Sequence, residues 1–426
     1  MTDPQLRLAP PGSALPGPAA RRHPTRRALI AGGLAITGGA ALGPRLTRPA
    51  DTPAAAALPA QADVAVGAAR LPFYGPHQCG VETDPQAHAT FLALDLAPGT
   101  DRAALTRMMR LVTDDAARLT QGHPALADIA PHLAATPARL SVTVGFGPAV
   151  FDRDGLAARR PPSVAALPAF GGPDRLQDRW SGGDVLLHVA ADDPATVSHA
   201  VRMLTTDTRR FATIRWVQRG FRPAAGTLPA GQTMRNLMDQ IDGTVNPRPG
   251  SPDFADVVWA RGNPGWFAGG TVLVLRRIRM ILEAWDAFDP GGKELVMGRR
   301  LGNGAPLTGH TEHDAPDLNA VDTLGLPVID QNAHIRLAHA TTPAERMLRR
   351  GYNYDDGPLP DATADSGLLF AAYQGDADTA FVPVQRRLAA ADNLNRWITH
   401  IGSAVFAIPP GAPGPGHYLG ESLLSS

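Results

Sequence analysis

Ala89-Thr90-Phe91-Leu92-Ala93-Leu94-Asp95-Leu96 is an apolar run of strand length, and the residues after it decide the reading of the fold. Asp101 offers an N-cap oxygen, and Leu105, Met108, Leu111, Val112 and Leu119 then recur at helical spacing. Leu140 to Val144 alternates as Leu-Ser-Val-Thr-Val, and Asp184 to Ala190 is a second apolar run. Pro194 to Phe211 reads as helix and Ile214 to Val217 returns to strand. The order is β-α-β-β-α-β, the ferredoxin-like unit in which helices cover one face of an antiparallel sheet. It ends near Phe221.

The second half repeats the theme less regularly. Strands are expected over Asp256 to Trp259, Thr271 to Arg276, Leu368 to Tyr373 and Ala404 to Ile408, with a helix over Asp378 to Ala390. No short repeat of solenoid or propeller length is present. The expected fold is α+β: two ferredoxin-like domains, antiparallel sheets with helices packed on them, over residues 66–222 and 223–426.

Residues 1–65 read as an address. Thr25-Arg26-Arg27-Ala28-Leu29-Ile30 precedes a glycine- and alanine-rich apolar stretch to about Gly43, the pattern of a twin-arginine signal peptide. A membrane anchor is the alternative, but the run is shorter than the roughly 20 residues that span a bilayer. Such leaders export proteins that have already folded, often around a cofactor. The expected location is the periplasm, the cell surface or the medium, with the twin-arginine export machinery as a partner.

A length of 426 residues suits two domains. Lys plus Arg and Asp plus Glu both total 40, so no net field favours nucleic acid or acidic membranes, and none is expected as a partner. The single cysteine, Cys79, excludes an internal disulfide framework and any multi-cysteine metal site. It is expected as a small buried residue. Oligomeric state is left open, a homo-oligomer included.

Three polar clusters stand out. One runs Arg235-Asn236-Leu237-Met238-Asp239-Gln240-Ile241-Asp242-Gly243-Thr244-Val245-Asn246-Pro247. The others are Asp330-Gln331-Asn332-Ala333-His334-Ile335-Arg336-Leu337-Ala338-His339 and Met347-Leu348-Arg349-Arg350-Gly351-Tyr352-Asn353-Tyr354. Taken singly, Asp242-Gly243 is a turn, His334 a structural histidine and Arg349-Arg350 a solvated pair.

With Gly75-Pro76-His77-Gln78 ahead of them and Gly367-Leu368-Leu369-Phe370 behind, these clusters form an ordered set. That set resembles the dye-decolourising peroxidases, particularly the exported branch also described as deferrochelatases, over almost the whole mature chain. The resemblance implies the DyP-type fold and haem b, iron protoporphyrin IX, as cofactor. It implies His334 as the proximal iron ligand, Asp242 as the distal acid/base and Arg349 as the distal cation. Further haem contacts are implied at Gly243, Thr244 and Val245 and at His339, Ala340 and Thr341. The implied reaction reduces hydrogen peroxide while oxidising a bulky organic donor such as a dye or phenol.

Each role has a physical reason. A neutral imidazole suits iron, and a carboxylate on its other nitrogen raises its basicity; Asp392 is the candidate. Peroxide must move a proton from its inner to its outer oxygen, which one carboxyl beside the iron can do. Charge on the departing oxygen is stabilised by a permanent guanidinium. Two positions depart from the family pattern: Asp239 replaces the usual glycine three residues before the distal aspartate, and His339-Ala340 replaces Asn-Pro. A carboxylate at Asp239, if close, is expected to raise the pKa of Asp242.

Other readings of the same residues remain. An exported haem-handling protein working with iron-uptake proteins needs the His334 pocket but no catalysis by Asp242 or Arg349. His310, Glu312, His313 and Asp314 offer a haem-free metal site. Tyr352, Tyr373 and Trp397 are either electron relays or core.

Overall fold

The computed structural model describes residues 66–425 apart from 154, 225, 230–231 and 262–264. The leader expected over residues 1–65 lies outside these.

The first half comprises β1 (His88–Leu96), α1 (Arg102–Thr120), β2 (Ser141–Phe146), β3 (Val185–Ala191), α2 (Pro194–Thr208) and β4 (Ala212–Phe221). Asp101 caps α1 by accepting from the Ala104 N–H at 2.7 Å, and Asp193 caps α2 by accepting from the Thr196 N–H at 2.7 Å. Along α1 the buried stripe is Leu105, Met108, Met109, Val112, Ala116 and Leu119. Leu111, expected on that face, is 41% exposed. At 100° per residue it sits about 120° from the centre of the stripe.

The second half comprises α3 (Phe254–Val258), β5 (Thr271–Met280), α4 (Leu282–Asp286), α5 (Pro290–Met297), α6 (His334–Ala338), β6 (Leu348–Arg349), β7 (Tyr352–Pro358), β8 (Ala364–Gln374), α7 (Phe381–Ala391) and β9 (Ile398–Ile408). The strand expected over Asp256 to Trp259 is instead α3. Its branched residues Val257 and Val258 point into the core from one helical turn.

All pairings between these strands are antiparallel. The first half is ordered β2-β3-β1-β4, and the second β9-β5-β8-β7, the same arrangement by position in each unit. The halves meet at Phe146 opposite Ala407 and at Phe221 opposite Asn353. Together with the β5–β8 pairing this closes eight strands into a barrel; β6 continues the β7 edge of β8. Alternation sorts the side chains. Phe91, Ala93, Leu186, Tyr352, Tyr373 and Phe406 share one buried cluster, and Leu92, Leu94, Val144 and Val274 join the helices in another.

Candidate active site

His334 is the first residue of α6, and Asp392 closes the C-terminal end of α7. The two helices pack together and bring the His334 Nδ1 to 2.6 Å from the Asp392 Oδ2. The other Asp392 oxygen accepts from the Leu394 N–H at 2.9 Å, so the carboxylate is held from both sides. Its side chain is 1% exposed, whereas that of His334 is 27% exposed and lines a cavity of about 630 Å³. Burial pulls the His334 pKa down, but Asp392 outweighs it and the net direction is upward. With Nδ1 bound to Asp392, Nε2 is the nitrogen left for a ligand.

The chain after α6 is pinned by a second carboxylate. Glu345 accepts from the Thr341 N–H and hydroxyl, each at 2.8 Å, and takes two N–H bonds from Arg387 of α7, at 2.8 and 3.1 Å. Arg387 also donates to the Leu337 and His339 carbonyls. The Arg387 fork, with the Thr341 donors, lowers the Glu345 pKa to about 2. This clamp sets His339, Ala340 and Thr341 along the cavity wall.

Asp242 follows a tight loop closed by the Arg235–Ile241 bridge. Within that loop Asp239 has φ of +63°, the left-handed region glycine adopts freely and aspartate tolerates. Asp239 thus occupies a backbone conformation that a glycine could also adopt. The Asp239 carboxylate is 70% exposed and pairs with Arg235 at 3.4 Å, and Asp239 is not among the residues lining the cavity. Gly243 has φ of +126° and turns the chain without lining the cavity; Thr244 and Val245 do line it.

Arg349, in β6, places a guanidinium nitrogen 3.3 Å from the Asp242 Oδ1. Its backbone is clamped by Asn246, whose carboxamide donates to the Arg349 carbonyl at 2.6 Å and accepts from its N–H at 3.0 Å. Asn246 thus fixes Asp242 and Arg349 in one frame from 103 residues away. Asp242, Arg349, His334 and Asp392 all line the same cavity.

Three contributors were not singled out from the sequence. Arg299 lines the cavity, and its pKa is lowered by burial, countered by Glu312 and further lowered by Arg349. Glu345 and Arg387 form the clamp above. Asn246, by contrast, lay within the quoted Asp-Gly-Thr-Val-Asn-Pro run.

The carboxylates of the alternative metal loop are engaged in hydrogen bonds. Glu312 accepts from the Thr244 hydroxyl at 2.9 Å, and Asp314 accepts from the His310 and Thr311 N–H groups and the Thr311 hydroxyl. Among the described residues no three His, Cys, Asp or Glu gather around a common metal position. Burial pushes the Cys79 thiol up to about 12, far from a thiolate ligand. Tyr352 and Tyr373 are fully buried among the inward-facing residues of the barrel, and Trp397 packs on Trp285 and Phe288.

The cavity fits a haem: its volume suits a cofactor, one imidazole presents a free nitrogen, and Ile241, Met347, Phe370, Leu388 and Ile398 supply apolar wall. The Dyp-type peroxidase N-terminal family matches residues 78–222, and the C-terminal family matches residues 233–413. The dye-decolorizing peroxidase of Thermobifida fusca is 42% identical over 424 residues, 95% of this chain and 98% of that one. The chain belongs to the dye-decolourising peroxidase family.

Other members of the family bracket it. The deferrochelatase of Yersinia pestis is 37% identical over 375 residues, 84% of this chain and 85% of that one. The crystal structure of the DyP-type peroxidase from Cellulomonas bogoriensis superposes with a TM-score of 0.82 at 50% identity, covering 85% of this chain and 99% of that one. As a dye-decolourising peroxidase the protein is a haem enzyme, and haem is its cofactor.

Proposed function

We propose that this peroxidase reduces hydrogen peroxide at the expense of bulky organic donors, dyes or phenols among them, with His334 holding the haem iron. The reading rests on one arrangement: the Asp242–Arg349 pair and the His334–Asp392 pair line a single cavity. When bound, haem supplies the iron that takes up the oxidising equivalents of peroxide. Asp392 fixes the Nδ1–H tautomer of His334 and so presents Nε2. Asp242 accepts the proton of the inner peroxide oxygen on its carboxylate and returns it to the outer one. Arg349 stabilises the charge on the departing oxygen, with Asn246 holding its backbone in place. Thr244, Val245, His339, Ala340 and Thr341, which line the cavity, would contact the haem when it is bound.

Replacing Asp242 by Ala is expected to lower kcat/KM for peroxide by about 10²–10⁴-fold, and Arg349→Leu by about 10²–10³-fold, with haem retained in both. Stopped-flow kinetics of haem-loaded protein measures this. Kinship with deferrochelatases supports a second reading, a haem-handling protein of an iron-uptake system. Asp242→Ala protein with undiminished peroxide turnover would favour it.

The leader reading is part of the same proposal: export by the twin-arginine route to the periplasm or beyond. Residues 1–65 fused to a reporter should move it across the membrane, and Arg26→Lys with Arg27→Lys should stop the transfer.

A further inference from the structure

A second cavity of about 320 Å³ lies between α2 and the strands β1 and β4, and none of its lining residues belongs to the haem cavity. Arg202 enters it from α2, Arg219 from β4, and His88 from the first position of β1. The strand register puts Arg219 opposite Thr90, so its side chain stands on the sheet face shared by Thr90 and His88. Three basic residues on three elements thus converge on one space.

They meet no counter-charge. Among the described residues no carboxylate lines this cavity, and neither Arg202 nor Arg219 makes an ion pair. Arginines elsewhere in this half do find partners: Arg139 pairs with Asp192 and Arg215 with Asp95. Asp193, at the start of α2, spends a carboxylate oxygen on the Thr196 N–H and hydroxyl. Two guanidinium groups facing one space without a counter-charge repel each other mildly in water, and an anion touching both removes that repulsion. Their planar forks match the oxygens of a carboxylate or sulfonate. The other walls include Val197 and Val201, which suit an apolar body, and the Ser198 and Thr90 hydroxyls.

We propose that this cleft binds an aromatic oxyanion, a carboxylate or sulfonate carried on a one- or two-ring aromatic body. Arg202 and Arg219 hold the acid group, and the α2 valines cover the ring.

The test is calorimetric titration of the haem-loaded full chain with naphthalene-2-sulfonate, repeated on the Arg202→Gln/Arg219→Gln double variant. Both arginines are exposed, so the variant should fold and keep its haem absorption. The expected result is saturable binding at one site, weakened about tenfold or more in the double variant and competed by inorganic sulfate. An Arg202→Lys/Arg219→Lys variant should fall between the two, because it keeps the charge and loses the fork. Equal affinity in wild type and the Gln double variant, no saturable binding to wild type, or a probe-dependent change in the haem spectrum would each overturn the proposal.

Discussion

The two halves of the barrel share one strand order, yet they treat the outer face of the sheet in opposite ways. In the first half the β1-to-β2 connection holds α1, whose Leu105, Met108, Met109 and Val112 are fully buried in the core beneath it. In the second, residues 281–351 separate β5 from β7 and contain short helices, loops and the two-residue β6 in place of one long helix. The outer face of β5 continues past Val274 into Arg276, Ile278 and Met280, which line the same cavity as His334. A regular crossover closes a ferredoxin-like sheet. An irregular one leaves room, and its loops deliver His334 and Arg349 to the edge of that room.

If the halves divide the work in this way, damage to one should spare the other. Met108→Ala should cost about 2–5 kcal/mol in chemical denaturation, because the α1 side chain is fully buried, while the haem spectrum stays unchanged. Loss of haem from that variant at temperatures where it remains folded would undo the division between a structural and a functional half. Asp392→Asn should do the reverse: haem affinity falls by about 10–100-fold, read by haem transfer to an apo-acceptor, with little change in the stability of the first half.

The smallest effect is one of pH. Asp207 of α2 is raised to about 7 by burial and by the neighbouring Asp115 of α1, and its protonated form is favoured in the fold. Because the folded value lies above the unfolded one, this stabilisation is complete below about pH 4 and is lost as pH rises through 7. Asp207→Asn should therefore flatten the decline in Tm across that window by a few degrees, roughly 2–4 °C per kcal/mol. An identical Tm–pH curve in the variant would show that the carboxyl pair plays no part in the pH response.

Much of this was legible in the sequence, for identifiable reasons. The cap at Asp101, the apolar runs of β1 and β3 and the alternation of β2 are local signals, and they mark the elements of the first half closely. Closure of the barrel is not local. It depends on two single-residue junctions, Phe146 with Ala407 and Phe221 with Asn353, which leave no pattern in either segment. The strand expected at Asp256 to Trp259 failed because Val257-Val258-Trp259 has strand composition, while tertiary packing makes it a turn of helix.

Of the residues lining the cavity, His334, Asp242 and Arg349 stand out in the sequence through distinctive neighbours, and Asp392 was a candidate from iron chemistry. Arg299, Glu345 and Arg387 were not. Their task is to neutralise or hold backbone from a distance, and nothing in the adjacent residues announces such a partner. Asp239 shows the opposite case, a visible departure whose backbone has a conformation that a glycine could also adopt and whose charge turns to solvent.

Everything proposed for the second half depends on its cavity being a haem site built on His334. Titration of the apo-protein and of His334→Ala with haem, followed by visible spectroscopy and then by addition of hydrogen peroxide, addresses this without intermediates. An intense Soret band that shifts on peroxide is expected in the wild type, and a weak, unshifted one in His334→Ala. An unchanged Soret band and peroxide response in His334→Ala would refute the assignment of His334 as the iron ligand.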